Sequence, residues 1–265
     1  MEDVFAWILS GDFRQYLLDN NLFFFPFIFA IRMVGMTAVE LISPARFVSY
    51  RHVFLQDCAA FGVYQYFIVS WAGQVDHFIL NHIVPLKPHL PDAVVGMPLP
   101  VRVLCYLVIG DLGQYWIHRL LHAKYVWRVH QWHHSPTYMY WLAGVRATVP
   151  QQALVNIPHI VAFTVLELSP WWIGLSIAVL HVFQNDWMHF NVSWRLKWME
   201  WLLVTPHFHH IHHSDKPEHY KANLGILLTV WDRLFGTYVD PDSVKTPLSF
   251  GIGEQVPTVR LIAGV

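Results

Sequence analysis

The residues in this chain with the clearest capacity for chemistry are its histidines. There are 18 of them in 265 residues, and fourteen lie between His118 and His219. They fall into groups with regular spacing. His118 and His122 form an HxxxH pair; His130, His133 and His134 form HxxHH; His209, His212 and His213 repeat HxxHH; His189 stands alone between the last two groups. Residues three or four apart share one face of a helix, about 5–6 Å apart at Cβ. HxxxH therefore presents two imidazoles together. HxxHH presents three, and its adjacent pair can splay toward two neighbouring ions.

Imidazole suits zinc, copper, iron and nickel. Structural zinc uses four ligands and catalytic zinc usually three, so eight or nine imidazoles imply two ions. Several other chemistries lack their signatures. None of the six glutamates forms the Glu-x-x-His motif of carboxylate-bridged di-iron bundles. HExxH, GxSxG and the P-loop are absent, and a bis-histidine haem would leave most of the imidazoles unexplained. Cys58 and Cys105 make neither a disulfide framework nor a CxxC site. The net charge of −1 supplies no basic field for nucleic acid.

The elements that position these groups are apolar. The chain is 55% hydrophobic and 13% charged, against about 25% charged in average soluble chains. That composition excludes disorder and predicts an all-α, polytopic membrane bundle of about four spanning units with a cytoplasmic histidine-rich cap. Residues 1–20 read as an interfacial amphipathic segment. Residues 22–43, 53–71 and 101–121 read as spans, and 153–168 with 171–189 as a helical hairpin turning at Ser169-Pro170. A hairpin returns the chain to the face it left. All the histidine groups then share one face with 13 of the 17 basic residues, which the positive-inside rule makes cytoplasmic. The expected organisation is N-terminal helices with an outer loop (1–100), a histidine-bearing region (101–240) and a surface tail (241–265). Asp111 lies on the helical face of His118 and His122, placed to accept a ring N–H and orient a ligand. His181, Asn185 and His189 form a stripe four residues apart. His189 is the ligand nearest the interface, Asn185 reaches a metal directly or through water, and His181 is left as ligand, supporting donor or core residue.

With these residues in hand, the sequence resembles the fatty acid hydroxylase/sterol desaturase superfamily of membrane-bound, histidine-coordinated di-iron oxygenases. The resemblance runs from about Asp111 to Tyr238. It rests on the three boxes (Asp111 to His122, Trp127 to Ser135, Thr205 to Ser214) and on the closing stretches Asn223-Leu-Gly225 and Trp231 to Thr237. It implies iron ligation by His118, His122, His130, His133, His134, His209, His212 and His213, with His189 at the end of the returning helix. Asn185 stands where some members carry a further histidine. His207, His210 and His219 are extra to the pattern. It further implies two Fe ions, O₂ as co-substrate, a membrane lipid (fatty acyl chain, sterol or related lipid) as substrate, and hydroxylation or desaturation of an unactivated C–H bond.

No segment resembles a haem-binding, ferredoxin or flavin domain. Electrons are therefore expected from a separate cytochrome, ferredoxin or flavoprotein reductase. Arg195, Lys197, Lys216 and Lys221 either dock it or simply set topology. Two other classes compete. A membrane metal carrier would place ligands at mid-membrane or on both faces, where only His159 and His181 lie deeper. A zinc hydrolase would need a general base such as Asp186, Asp215 or Glu218. Oligomeric state is not legible.

Overall fold

In a computed structural model the chain is described over residues 21–63, 96–168, 170–245 and 247–265, with isolated positions at 10, 12, 15, 16, 19, 78, 82 and 94. Among these residues the elements are helical and no strand is formed; three isolated bridges tie loops together. The helices are α1 (Asn21–Ile42), α2 (Tyr50–Val63), α3 (Leu99–Leu121), α4 (Trp127–His134), α5 (Val149–Val165), α6 (Trp171–His189), α7 (Pro206–His212), α8 (Val230–Phe235) and α9 (Thr258–Ala263). Most of the segment expected to be amphipathic (1–20), most of the outer loop and the distal part of the 53–71 segment lie outside the described residues.

Local chemistry sets the helix ends. Thr148 and Thr205 cap α5 and α7, their hydroxyls accepting the N–H of Gln151 and Phe208, and each is followed by a proline in the first turn. Gly236 ends α8 in the left-handed conformation, with φ of 72°. Pro170 precedes α6, and Glu167 carries the positive φ of 48° that helps turn the chain out of α5. The arms of this hairpin are antiparallel: the His159 and His181 rings lie 4.3 Å apart, and farther toward the turn Phe163 faces Gly174.

α3 lies close along α5. A Cβ on Gly113 would stand 2.5 Å from the Pro158 Cβ, so glycine is what permits the approach. Tyr106, Ala162, Leu166, Ile173 and Ile177 fill the space among α3, α5 and α6. A second core, around Trp132, Tyr140, Trp141 and Leu142, is covered by α1 and α2.

The expected apolar segments do form helices, but no helix among the described residues is long and apolar enough to cross a membrane. Polar residues interrupt each of the three longest: Arg32 and Glu40 in α1, Arg102, Asp111 and Arg119 in α3, and Asp186 in α6. Most of these side chains are turned inward to bonds described below. The outward faces remain apolar, with Ile31, Val34, Leu104, Ile109, Val179 and Phe183 exposed.

Candidate metal centre

α4 and α7 are both shorter than nine residues, and the four histidine groups meet because these two helices pack over the ends of α3 and α6. The ring nitrogens gather as two sets. His118, His122, His130, His134 and His212 form one; His133, His189, His209 and His213 form the other, with the ligand atoms of each set within 4.8 Å of one another. All nine rings are buried. The adjacent pairs His133–His134 and His212–His213 divide between the sets, because neighbouring side chains on a helix diverge by about 100°.

Main-chain carbonyls fix four of these rings. His118 donates from Nδ1 to Leu224 O at 2.7 Å and His212 to Ala222 O at 2.9 Å. In the other set His133 donates to Arg146 O at 3.2 Å and His189 to Asn185 O at 2.6 Å. A carbonyl only accepts, so the proton sits on Nδ1 and the Nε2 lone pair of each neutral ring faces inward. There the nitrogens crowd. His118 Nε2 lies 3.1 Å from His130 Nε2, and His213 Nε2 lies 3.2 Å from His189 Nε2 and 3.0 Å from His209 Nε2. In the five-histidine set, His122 Nε2 and His212 Nε2 are buried without a hydrogen-bond partner among the described residues. Separations near 3 Å suit two ligands at right angles on an ion with metal–nitrogen bonds of about 2.1 Å. Unpartnered lone pairs of this kind fit divalent metal. Burial first, and then repulsion between neighbouring rings, hold His122, His130, His134, His209, His212 and His213 well below the ordinary imidazole value of 6.5. Burial likewise lowers His133. The neutral form is the one a metal binds.

Two carboxylates shape the loop that presents the Ala222 and Leu224 carbonyls. Asp232 accepts the N–H of Leu224 at 2.7 Å and of Gly225 at 2.8 Å. Asp111 accepts the N–H of Leu227 and Leu228 at 2.9 and 3.0 Å, and the Trp231 indole at 2.8 Å. The expected bond from a ligand histidine to Asp111 is not formed. Seven residues of helix, about 10 Å, separate it from His118, so it acts on the loop that holds the ring. Asn185 reaches His189 through its main-chain carbonyl, while the residue also lines the cavity beneath. His181 bonds the Tyr106 hydroxyl at 3.3 Å and joins neither set. Of the extra histidines, His210 accepts from Arg46 at 3.1 Å and His219 pairs with Ser214 at 2.6 Å.

Glu40 and Asp57, acidic residues within apolar segments, were not legible as part of this site. Glu40 accepts the N–H of Trp141 and of Asn191, both at 2.8 Å. Asp57 takes the Arg146 guanidinium and the hydroxyls of Tyr138 and Tyr140. These bonds hold the loop after α4 and the end of α6 from the N-terminal helices. An acidic residue in an apolar helix was the signal, but its partner is up to 151 residues away. Asp186 is bonded bidentately to Arg32 and is not a free base. Arg195 pairs with Glu200 and Asp242, and Lys197 with Asp242, so two carboxylates neutralise this part of the basic surface.

Beneath the metal sets lies a cavity of about 550 Å³, within the range of about 300–1,000 Å³ usual for small-ligand sites. His118, His130, His133 and His209 line its upper end, and Phe163, Gly174 and Ile177 its lower one.

A family model described as fatty acid hydroxylase matches residues 103–237, just over half of the chain. The chain is 32% identical over 152 residues to an alkylglycerol monooxygenase of Danio rerio, covering 57% of this chain and 33% of that protein. It is 32% identical over 161 residues to the ornithine lipid hydroxylase OlsE of Rhizobium tropici (59% and 46%), and 22% identical over 151 residues to methylsterol monooxygenase 1-3 of Arabidopsis thaliana (54% and 51%). It thus spans between a third and a half of the length of these curated relatives. No solved structure matches. The matched stretch contains both metal sets, the clamped loop and both arms of the hairpin, and the chain belongs to the fatty acid hydroxylase family.

Proposed function

We propose that this chain is an O₂-dependent oxidoreductase that hydroxylates or desaturates a membrane lipid at an unactivated C–H bond. The observation that carries the reading is the position of two sets of buried, neutral imidazoles at the end of a largely apolar cavity. His118, His122, His130, His134 and His212 would hold one Fe ion, and His133, His189, His209 and His213 the other, with Asn185 the further donor available beside the second set. Two ferrous ions, with O₂ and electrons from a separate cytochrome, ferredoxin or flavoprotein, supply the oxidation of carbon. The protein's part is positional. Leu224, Ala222, Arg146 and Asn185 hold four rings with their Nε2 lone pairs inward, so metal binding needs no reorientation of these rings. The cavity admits an acyl or sterol skeleton, excludes water and fixes which carbon approaches.

The names of the three relatives described above, two monooxygenases and a hydroxylase, favour the same reading. The exposed apolar faces of α1, α3 and α6 suit a membrane location, with the histidines at the cytoplasmic face in keeping with the basic residues there. We assign residues 101–240 to the catalytic region, 1–100 to its membrane support and 241–265 to a surface tail.

The test is metal content by mass spectrometry on detergent-purified protein, expressed in iron-supplemented cells without a metal-binding tag. The expected result is about two irons per chain, with lipid oxidation that requires O₂ and a reductant. Zinc that iron reconstitution cannot replace with activity would favour a hydrolase or a carrier. No metal after anaerobic reconstitution would refute the proposal.

A further inference from the structure

The cavity contains a second polar cluster, which takes no part in the metal sets. Tyr106 of α3, His159 of α5 and His181 of α6 meet at its wall, with Gln114 behind. Three hydrogen bonds link them in a row, and the chemistry of the first fixes the direction of the rest. Gln114 Oε1 only accepts, so His159 donates to it from Nε2 at 2.9 Å. In the neutral ring, His159 Nδ1 is then an acceptor, and the Tyr106 hydroxyl donates to it at 3.0 Å. The single phenolic proton is used there. Tyr106 can therefore only accept from His181, whose Nε2–H lies 3.3 Å away. His181 is left with a bare Nδ1 lone pair, without a hydrogen-bond partner among the described residues, on a ring that lines the cavity. That lone pair can accept a hydrogen bond from a donor brought to the cavity wall.

Its place in the cavity gives it a length scale. His181 precedes His189 by eight residues of α6, about 12 Å along the helix. A lipid anchored at His181 therefore presents to the metal sets a carbon well removed from its polar end.

We propose that His181 Nδ1 binds the hydroxyl or amide N–H at the polar end of a single-chain lipid, and that Tyr106, His159 and Gln114 set this preference by holding the His181 proton on Nε2. The inference rests on the reading of this cavity as the lipid site. It makes His181 a specificity residue for donor-bearing lipids, over lipids that can only accept a hydrogen bond.

The test measures binding without turnover. Displacement of cis-parinaric acid from the full chain in detergent is followed with three chain-matched probes, under nitrogen: 1-hexadecanol, N-methylhexadecanamide and methyl hexadecanoate. The alcohol and the amide are expected to bind about tenfold more tightly than the ester, about the worth of one hydrogen bond. Whichever of the two is tighter identifies the polar group. In His181→Phe the three affinities should converge to within about twofold. Tyr106→Phe, the milder variant, frees the tautomer and should shrink the preference; it gives the reading should His181→Phe fail to fold. An ester bound as tightly as the alcohol by the unaltered protein, or a full preference surviving in either variant, would overturn the proposal. Selective binding by a chain that carries no iron would leave this inference standing and remove the oxygenase reading. An iron-containing chain without selectivity would do the reverse.

Discussion

Asp232 accepts the Leu224 N–H at 2.7 Å, and the carbonyl of that same Leu224 receives the Nδ1 proton of His118, also at 2.7 Å. A buried carboxylate thus reaches the five-histidine set through a single residue. Asp232→Ala leaves two buried N–H groups unpaired and lets the loop move. Loss of such supporting contacts commonly lowers metal affinity about 10–100-fold. The expected outcome is a folded protein with less iron in the five-histidine set, read by metal analysis against free chelator. Iron retention equal to that of the unaltered chain would show that the loop does not govern this ring.

Gly144 packs against the ring of His189. A Cβ there would stand 2.3 Å from Nδ1, inside any tolerable contact. Gly144→Ala should displace His189, empty the four-histidine set and leave the five-histidine set loaded, giving about one iron per chain. A protein that keeps both irons would contradict the division of ligands described above.

His212 is buried, with Nδ1 bonded to Ala222 O and Nε2 unpartnered among the described residues, whereas His82 is exposed and bonded to the Phe78 carbonyl. His212→Ala should abolish turnover and lower metal content, while His82→Ala should change neither. Matching behaviour of the two variants, measured by metal analysis and product formation, would defeat the ligand assignment.

Asp57 and Arg146 form a buried ion pair, and the Arg146 carbonyl holds His133. Asp57→Ala strands the guanidinium and should cost about 3–5 kcal/mol, visible as a lower melting temperature in detergent. The double variant Asp57→Leu with Arg146→Met removes the stranded charge and should recover part of the loss. If the single variant is as stable as the parent, the pair does not brace the loop.

Acid should destabilise the metal-free protein. Seven rings, at positions 122, 130, 133, 134, 209, 212 and 213, are held well below 6.5 by burial and by one another. Below that pH the unfolded chain takes up protons that the folded chain refuses, so stability is full above about pH 6.5 and falls as the pH drops. Each ring contributes up to about 1.4 kcal/mol per pH unit. Melting curves of chelated protein between about pH 5 and 8 should show this slope; a flat profile would mean that the rings are not buried without metal.

The nine histidines were legible in the sequence because their spacing is a property of short helices. A three- or four-residue interval puts imidazoles on one face whatever the surroundings, and two HxxHH groups with one HxxxH already imply two ions. The helical hairpin was legible as well, since proline stops a helix by local sterics. The tertiary structure decided the rest. Which ring joins which set depends on how α4 and α7 cross the ends of α3 and α6. Asp111 lies on the face of His118, yet the helical rise keeps it from the ring and gives it to the Leu227–Leu228 peptide units. Arg32, Glu40 and Asp57 lie within apolar segments, and nothing along those segments points to their partners, which come from distant parts of the chain. The row from Gln114 to His181 crosses three helices. Hydrogen-bond direction along it is settled only when donors and acceptors meet in space, which no spacing rule along a single helix encodes.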